Sequence, residues 1–415
     1  MQGVVILAAA SVFASVVPVW AQKPTPLSDL LAEAARNNPD IAAARHAWRA
    51  ATHVRKQVTT LPNPKFTLQD FSVGGAKPWS GFNTSNFAYV GFGVSQKLPF
   101  PGKLRLKGEA ADRAAGVQHA EMGATQAAVA DEIKADYFRL AYLQQMIALF
   151  EDSRRTLGQL AKSELYRYQT GAGDQADVLK AQLERTKLVR ELTLRHEEVA
   201  QTEADLKRLL RRPQESPDIV AAPLTAGKLR YSSRELLAFA RKQNPEVQVD
   251  ATKVLKGDAD VRSAERSGKP DFSVGYMFER TGDRYPAYYM LTFNVIFQRR
   301  QRTRAAVEEA EELATSSRYR LEAQIQQQQA QVQEQYAVAA GTAEQAKEYR
   351  QGLIPQAEAT YKAMLADYES NQRQLDWVLT SFNNLLEIKR EYARALFDHQ
   401  AAIASLETLT GVKLR

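Results

Sequence analysis

Apolar and polar positions alternate strictly over two stretches in the second half of the chain. Phe272, Val274, Tyr276 and Phe278 share one parity, and Ser273, Gly275, Met277 and Glu279 the other. Beyond a turn near Gly282-Asp283, Tyr289, Leu291, Phe293, Val295 and Phe297 alternate with Tyr288, Met290, Thr292 and Asn294. A period of two predicts a β-hairpin with one apolar, aromatic-rich face and one mixed face. The first half carries a weaker version: Phe66 and Leu68, then Val90, Phe92 and Val94, joined by a Gly/Ser/Asn-rich loop over 74–86. Each strand is predicted at roughly ten residues, the length a tilted strand needs to cross a bilayer. A soluble hairpin packed on helices has the same alternation, so the pattern alone leaves both open.

Each hairpin leads into a long helical run. No proline occurs from Lys103 to Tyr168, and only Pro355 from Gln301 to Tyr368. At 1.5 Å per residue, such a run makes a helix of roughly 100 Å. Each run reverses at a break, Gly171-Ala172-Gly173 in one and Ser370-Asn371-Gln372 in the other, and returns as a second helix. The last returning helix spaces Val378, Phe382, Leu385, Lys389, Tyr392, Leu396, His399, Ile403 and Leu406 at the coiled-coil period. The outgoing helix of the first half shows Ile133, Tyr137, Leu140 and Ile147. Elsewhere the stripe is rich in Ala and Gln, too weak for a self-contained core, so the helices need partners from outside their own hairpin.

The two halves are copies. Leu30-Leu31-Ala32 and Asn38-Pro39-Asp40-Ile41 reappear as Leu236-Leu237-Ala238 and Asn244-Pro245-Glu246-Val247, offset by 206 positions. The same offset relates Pro64-x-Phe66-x-Leu68 to Pro270-x-Phe272-x-Val274. Each unit opens with a short helix, started by Ser28-Asp29 or Ser232-Ser233 and broken at Asn-Pro. A second helix then ends before Leu61-Pro62-Asn63-Pro64 or Gly268-Lys269-Pro270. The expected organisation is a first repeat over 22–212 (hairpin 64–98, coiled coil 103–212), a Pro/Ala/Gly-rich connector over 213–231, and a second repeat over 232–415 (hairpin 270–298, coiled coil 301–412). The fold class is α+β, mainly α.

Composition narrows the setting. Residues 4–17 are apolar or small, and Val19-Trp20-Ala21 supplies a small-x-small ending, so 1–21 read as a secretory signal peptide. The run is too short to span comfortably as an anchor, and no later stretch approaches the ~20 apolar residues of a transmembrane helix. Any crossing must therefore use strands. With no cysteine in the sequence, disulfides, thiolate metal sites, cysteine nucleophiles and a lipidated cysteine within it are excluded. The net charge of +7 does not point to nucleic acid, because the basic residues interleave with Glu and Asp along helices as a solvated face.

Four strands cannot span a membrane alone, since an open sheet leaves edge N–H and C=O groups unpaired in hydrocarbon. Transmembrane hairpins would therefore require oligomerisation: a dimer gives eight strands and a filled interior, a trimer twelve and a lumen.

Two tandem repeats, each helix, Asn-Pro, helix, hairpin and long coiled coil, resemble the TolC family of outer membrane efflux channels over essentially the whole mature chain. The segment Ser95-Gln96-Lys97-Leu98-Pro99-Phe100-Pro101-Gly102-Lys103 is similar to the Gln-x-x-x-Phe-Pro-Gly-Lys of the heavy-metal (Czc/Cus-like) branch. The resemblance implies a homotrimer with a 12-stranded β-barrel in the outer membrane and an α-helical barrel through the periplasm. It implies an exit duct without cofactor, partnered by a periplasmic adaptor and an inner-membrane RND-type transporter, conducting heavy-metal cations in that branch. Drug efflux and type I secretion remain open beside metal export.

Candidate sites lie on the same elements. Pro99 and Pro101 end strand pairing, Gly102 permits a bend and Lys103 starts a helix, forming a strand-to-helix corner. No Gly-x-x-x-x-Gly-Lys-Ser/Thr precedes Gly102-Lys103, so this is not a phosphate loop. The matching corner carries Arg299 and Arg300, followed by Arg302 and Arg304; these cations either meet phospholipid headgroups or begin a solvated helix. The reversals resemble the family's periplasmic mouth. Tyr168, Thr170, Gly171, Ala172 and Asp177 fit the Tyr-x-x-Gly-x-x-x-x-x-Asp-Val-Leu pattern. Tyr368, Ser370, Asn371, Gln372, Arg373 and Asp376 depart from it, with Asn371 for Gly and the acid shifted by one place. The resemblance implies that Thr170, Gly171, Ala172, Ser370, Asn371 and Gln372 meet the adaptor. It also implies that Asp177, Asp376, Tyr168, Tyr368 and Arg373 form a gate, with Arg373 pairing to Tyr168 or to an acid of a neighbouring helix. Plain helix capping explains the acids equally.

Metal coordination has no support in the sequence. Five histidines are scattered without i, i+3 or i+4 spacing, and His399 on the apolar stripe reads as a packed core residue. No nucleophile–base or paired-carboxylate motif suggests an enzyme. The competing class is a soluble periplasmic coiled-coil adaptor or scaffold, which leaves the aromatic hairpins unexplained.

Overall fold

The computed structural model describes residues 24–414 except 84–86, 228, 283–285 and 371. The signal-peptide segment, Asp283 and Asn371 lie outside the described residues. The first repeat runs α1 (Leu27–Asn37), α2 (Pro39–Thr59), β1 (Lys65–Phe71), β2 (Tyr89–Leu98), α3 (Lys103–Gln169) and α4 (Gln175–Leu210). The second runs α5 (Ser233–Gln243), α6 (Pro245–Ser267), β3 (Asp271–Arg280), β4 (Tyr288–Ile296), α7 (Arg300–Glu348), α8 (Ile354–Glu369) and α9 (Leu375–Thr410). A π-helical turn over Tyr349–Leu353 joins α7 to α8. Pro355 has no N–H to donate, and the wider turn just before it lets the helix continue past the missing bond.

The Asn-Pro breaks are capping sites. Asn38 accepts from the N–H groups of Asp40 and Ile41 at 2.9 and 3.1 Å, and Asn244 accepts from Val247 N–H at 3.0 Å. Pro39 and Pro245 sit at the first helical position, where no N–H is needed. Each buried Asn then reaches far along its own repeat: Asn38 Nδ2 donates to Leu209 O at 2.9 Å, and Asn244 Nδ2 to Leu409 O at 3.0 Å. Both carbonyls lie at the end of a returning helix, so the cap also closes each repeat. Ser232 caps α5 in a reciprocal capping box with Glu235. The first repeat differs from the expected start: α1 begins at Leu27 with Pro26 at the cap, and Ser28-Asp29 lie inside the first turn.

The four strands form one antiparallel sheet in the order β1-β2-β3-β4. The register pairs Phe66 with Val94, Leu68 with Phe92, Phe92 with Phe278, Val94 with Tyr276, Tyr276 with Leu291, and Val274 with Phe293. One face is therefore continuous apolar surface; the other carries Gly91, Gly93, Ser95, Gly275, Thr292 and Asn294. Phe66 is 78 % exposed, Leu68 89 % and Leu291 76 %, so no described helix covers this face, unlike a hairpin packed on its own helices. β1 has seven residues rather than about ten, ending where the loop through Gly74 and Gly75 begins. Its outer edge and that of β4 are unpaired among the described residues.

The helices share a core across repeats, as the weak stripes require. Near the middle of the bundle, Leu30 of α1, Ile133 and Leu140 of α3, Leu206 of α4, Ile219 of the connector and Leu396 of α9 pack together. Toward the reversals, Met146, Phe150 and Leu157 of α3 meet Leu188 of α4 and Leu375, Val378 and Phe382 of α9. His399 is fully buried: its Nε2 accepts from Gly227 N–H at 3.2 Å and its Nδ1 bonds Ala339 O at 2.9 Å. It is a packed core histidine. No described helix is long and apolar enough to cross a membrane.

Candidate gate at the helix reversals and the barrel corner

The first reversal is built by local hydrogen bonds. Thr170 Oγ1 donates to the carbonyls of Tyr166 and Arg167, both at 3.0 Å, and Ala172 N–H donates to Arg167 O at 2.7 Å. Gly171 between them takes a φ of +72°, which a side chain would resist. The second reversal repeats the scheme without a described glycine: Ser370 Oγ donates to Asp367 O at 3.0 Å, and Gln372 N–H to the same carbonyl at 2.8 Å.

The acids converge across the repeats. Asp177 stands in the first turn of α4 and Asp376 in the first turn of α9. Lys180 bridges them, with Nζ 3.4 Å from Asp177 Oδ1 and 2.8 Å from Asp376 Oδ1. The hydrogen bond to Asp376, ahead of the field of both carboxylates, raises the lysine pKa. Asp174, the N-cap of α4, makes no side-chain cap bond, while Asp177 and Asp376 keep the first-turn position that favours negative charge.

A second cluster lies beneath. Tyr368 is buried and donates its hydroxyl to Glu164, itself buried on α3; the other carboxyl oxygen of Glu164 has no hydrogen-bond partner among the described residues. The Arg167 guanidinium lies 4.8 Å above the Tyr368 ring. Burial, and then the bond to Glu164, push the Tyr368 hydroxyl above its ordinary pKa, so it remains a donor. Arg373 turns back on its own tip, 3.8 Å from Asp367 and 5.1 Å from the Trp377 ring centroid. Among the described residues the acid beside Arg373 is thus Asp367 of the adjoining α8, and Tyr168 is half exposed.

Sequence reasoning missed Lys180, Glu164, Arg167 and Asp367. Lys180 had a readable signal, three residues after Asp177 on the same helix face. Glu164 had none, because an acid in a polar helical run looks solvated.

At the barrel corner, Pro99 and Pro101 flank Phe100, and Gly102 caps α3 with a φ of +90°. Lys103 is turned inward rather than toward headgroups. Its Nζ contacts Asp271 Oδ1 at 2.8 Å and Lys269 O at 2.6 Å, and the Phe100 N–H donates to the same carboxylate at 3.1 Å. Arg266 of α6 donates to Pro101 O at 2.7 Å and lies 4.9 Å over the Phe100 ring. One repeat's corner is thus clamped by residues of the other. Arg299 and Arg300 are exposed.

A protomer with a one-faced apolar sheet, free sheet edges and a long helical body is the form of a membrane channel subunit that closes by oligomerisation. The outer membrane efflux protein family model matches residues 30–210, from α1 to the end of α4, and the second repeat carries the same element order. Over its first repeat the chain is thus similar to outer membrane efflux proteins. Solved structures share the fold. The outer membrane protein VceC of Vibrio cholerae is 16 % identical with a TM-score of 0.76, covering 94 % of this chain and 97 % of that one. The Campylobacter jejuni CmeC outer membrane channel is 11 % identical at 0.78, covering 99 % and 94 %. CusC, described for its folding and transmembrane channel formation, is 18 % identical at 0.77, covering 92 % and 91 %. No curated protein matched the sequence.

Proposed function

We propose that the two reversals form the periplasmic gate of a homotrimeric duct, and that the observation carrying this reading is the convergence of Asp177, Asp376 and Lys180. Two carboxylates and one ammonium leave each chain's tip net negative, and threefold repetition concentrates that field at the mouth. The Glu164–Tyr368 bond ties α3 to α8 beneath it, so the two outgoing helices must part for the tip to widen. The described tip residues, Thr170, Gly171, Ala172, Ser370 and Gln372, offer a polar surface for a periplasmic adaptor, which connects the duct to an RND-type inner-membrane transporter. Trp377, more than half exposed beside them, adds an apolar contact.

The Gln96–Lys103 segment supports heavy-metal cations as cargo. The duct would pass them as solutes, taking its selectivity from the transporter upstream.

The test is single-channel conductance in planar bilayers. Tyr368→Phe strands the buried Glu164 carboxylate at a cost of about 1–3 kcal/mol, and is expected to raise the open fraction. Asp177→Ala with Asp376→Ala is expected to lower cation preference. Unchanged opening and unchanged selectivity in these variants would remove the gate from this place.

A further inference from the structure

Below the first strand, the last turns of α2, the link over Leu61–Asn63 and the start of α3 wall an open cleft of about 770 Å³. Its lining combines apolar side chains, Val58, Leu61, Pro62 and Leu104, with the polar Gln57, Thr60 and Asn63 and the basic Lys56, Lys107 and His53. Lys56 and Lys107 are exposed and have no ion pair among the described residues. The acids of the adjoining turns are engaged elsewhere: Asp112 with Arg55, Glu109 with Arg262 and Arg105, Asp271 with Lys103. From Asn63 the chain passes directly into β1, whose Phe66 and Leu68 form part of the exposed apolar face. Cationic groups, apolar side chains and continuity with the membrane surface are the features an amphiphile with an anionic head needs.

Barrel closure adds charge. When β4 of a neighbouring copy pairs antiparallel with the free edge of β1, its lower end at Ile296 comes level with Lys65. The neighbour's Arg299, Arg300 and Arg302 then arrive at the same height as the cleft. These arginines are exposed and unpaired among the described residues, whereas Arg304 bonds Glu308 at 2.8 Å. The segment that reaches the cleft from the next chain is therefore itself basic, and it increases the charge rather than neutralising it.

We propose that each subunit seam binds the phosphodiester headgroup of an anionic phospholipid from the periplasmic leaflet. The phosphate lies between the lysines of one chain and the arginines of the next, while the acyl chains cover Val58 and Leu61 and continue along Phe66 and Leu68. A soluble phosphate would meet the cations but leave the apolar side chains in water. The inference rests on the trimeric channel reading, through the closure of β1 on β4.

Native mass spectrometry of the delipidated trimer, titrated with phosphatidylglycerol or phosphatidylcholine, tests it. The wild-type trimer is expected to retain phosphatidylglycerol at every seam in preference to phosphatidylcholine. Lys56→Gln with Lys107→Gln should weaken that binding roughly thirtyfold, while Arg185→Gln at the far end of the helices leaves it unchanged. Equal phosphatidylglycerol binding by wild type and the double variant, or equal binding of both lipids by wild type, overturns the site. Displacement by inorganic phosphate at matched concentration overturns the lipid as its occupant. A wild-type trimer that takes up no lipid shows that the neighbouring chain fills the cleft and overturns the proposal. The trimer mass and bilayer conductance separate the two readings: present in both proteins, they leave the channel intact whatever the lipid result; absent in wild type, they sink both.

Discussion

Asp271→Ala is expected to be among the most destabilising single substitutions in the chain, lowering trimer stability by about 3–5 kcal/mol. The carboxylate is buried where β3 starts, and it takes Lys103 Nζ at 2.8 Å and the Phe100 N–H at 3.1 Å. Removing it leaves a buried ammonium with only the Lys269 carbonyl for a partner, and an amide N–H with none. The corner it holds directs a helix of 67 residues out of the sheet, so a small angular error there moves the far tip by many ångströms. Replacing both partners by apolar residues of similar volume, Lys103→Met with Asp271→Leu, should restore most of the loss, because a buried pair costs nearly as much to desolvate as it returns. Heating the detergent-solubilised trimer and following its dissociation measures both. Equal stability of Asp271→Ala and wild type would show that the corner is held without this carboxylate, by Pro99, Pro101, Gly102 and the Arg266 bonds to Pro101 O.

Leu291→Arg is the second large effect. Leu291 is 76 % exposed on the apolar face and pairs with Tyr276 near mid-strand. In a bilayer, a guanidinium there costs about 2–4 kcal/mol, repeated in every copy of the trimer. The expected result is loss of assembly into liposomes with the periplasmic helices still folded by circular dichroism. Thr292→Arg, one residue along and on the opposite face, should assemble, since that side faces the lumen. Similar insertion of the two variants would contradict the assignment of the faces.

The architecture was legible in the sequence because it is written in periods. Alternation located the strands, the absence of proline located the long helices, and the constant offset exposed the duplication. The hidden features depend on side chains far apart along the chain. Asn38 reads as the residue before a proline, and nothing local says that its amide reaches Leu209 O. Lys103 reads as the residue that starts a helix at the corner, yet Asp271 of the other repeat draws it inside. Lys180 and Glu164 look like ordinary polar helix residues until α4 meets α9 and α3 meets α8. Arg373 shows the reverse, a candidate gate partner that Asp367 and Trp377 hold on its own tip.

The central claim is that the β1 and β4 edges close on neighbouring copies, and the cysteine-free sequence permits a direct measurement. Within one chain the two edge strands are separated by three strand spacings, roughly 14 Å, beyond the reach of a disulfide. Thr67→Cys in β1, combined in turn with Thr292→Cys and Asn294→Cys in β4, should give covalent trimers on oxidation in isolated outer membranes. Chains that stay monomeric at every pairing, while lodged in that membrane, would contradict a barrel closed by β1 and β4.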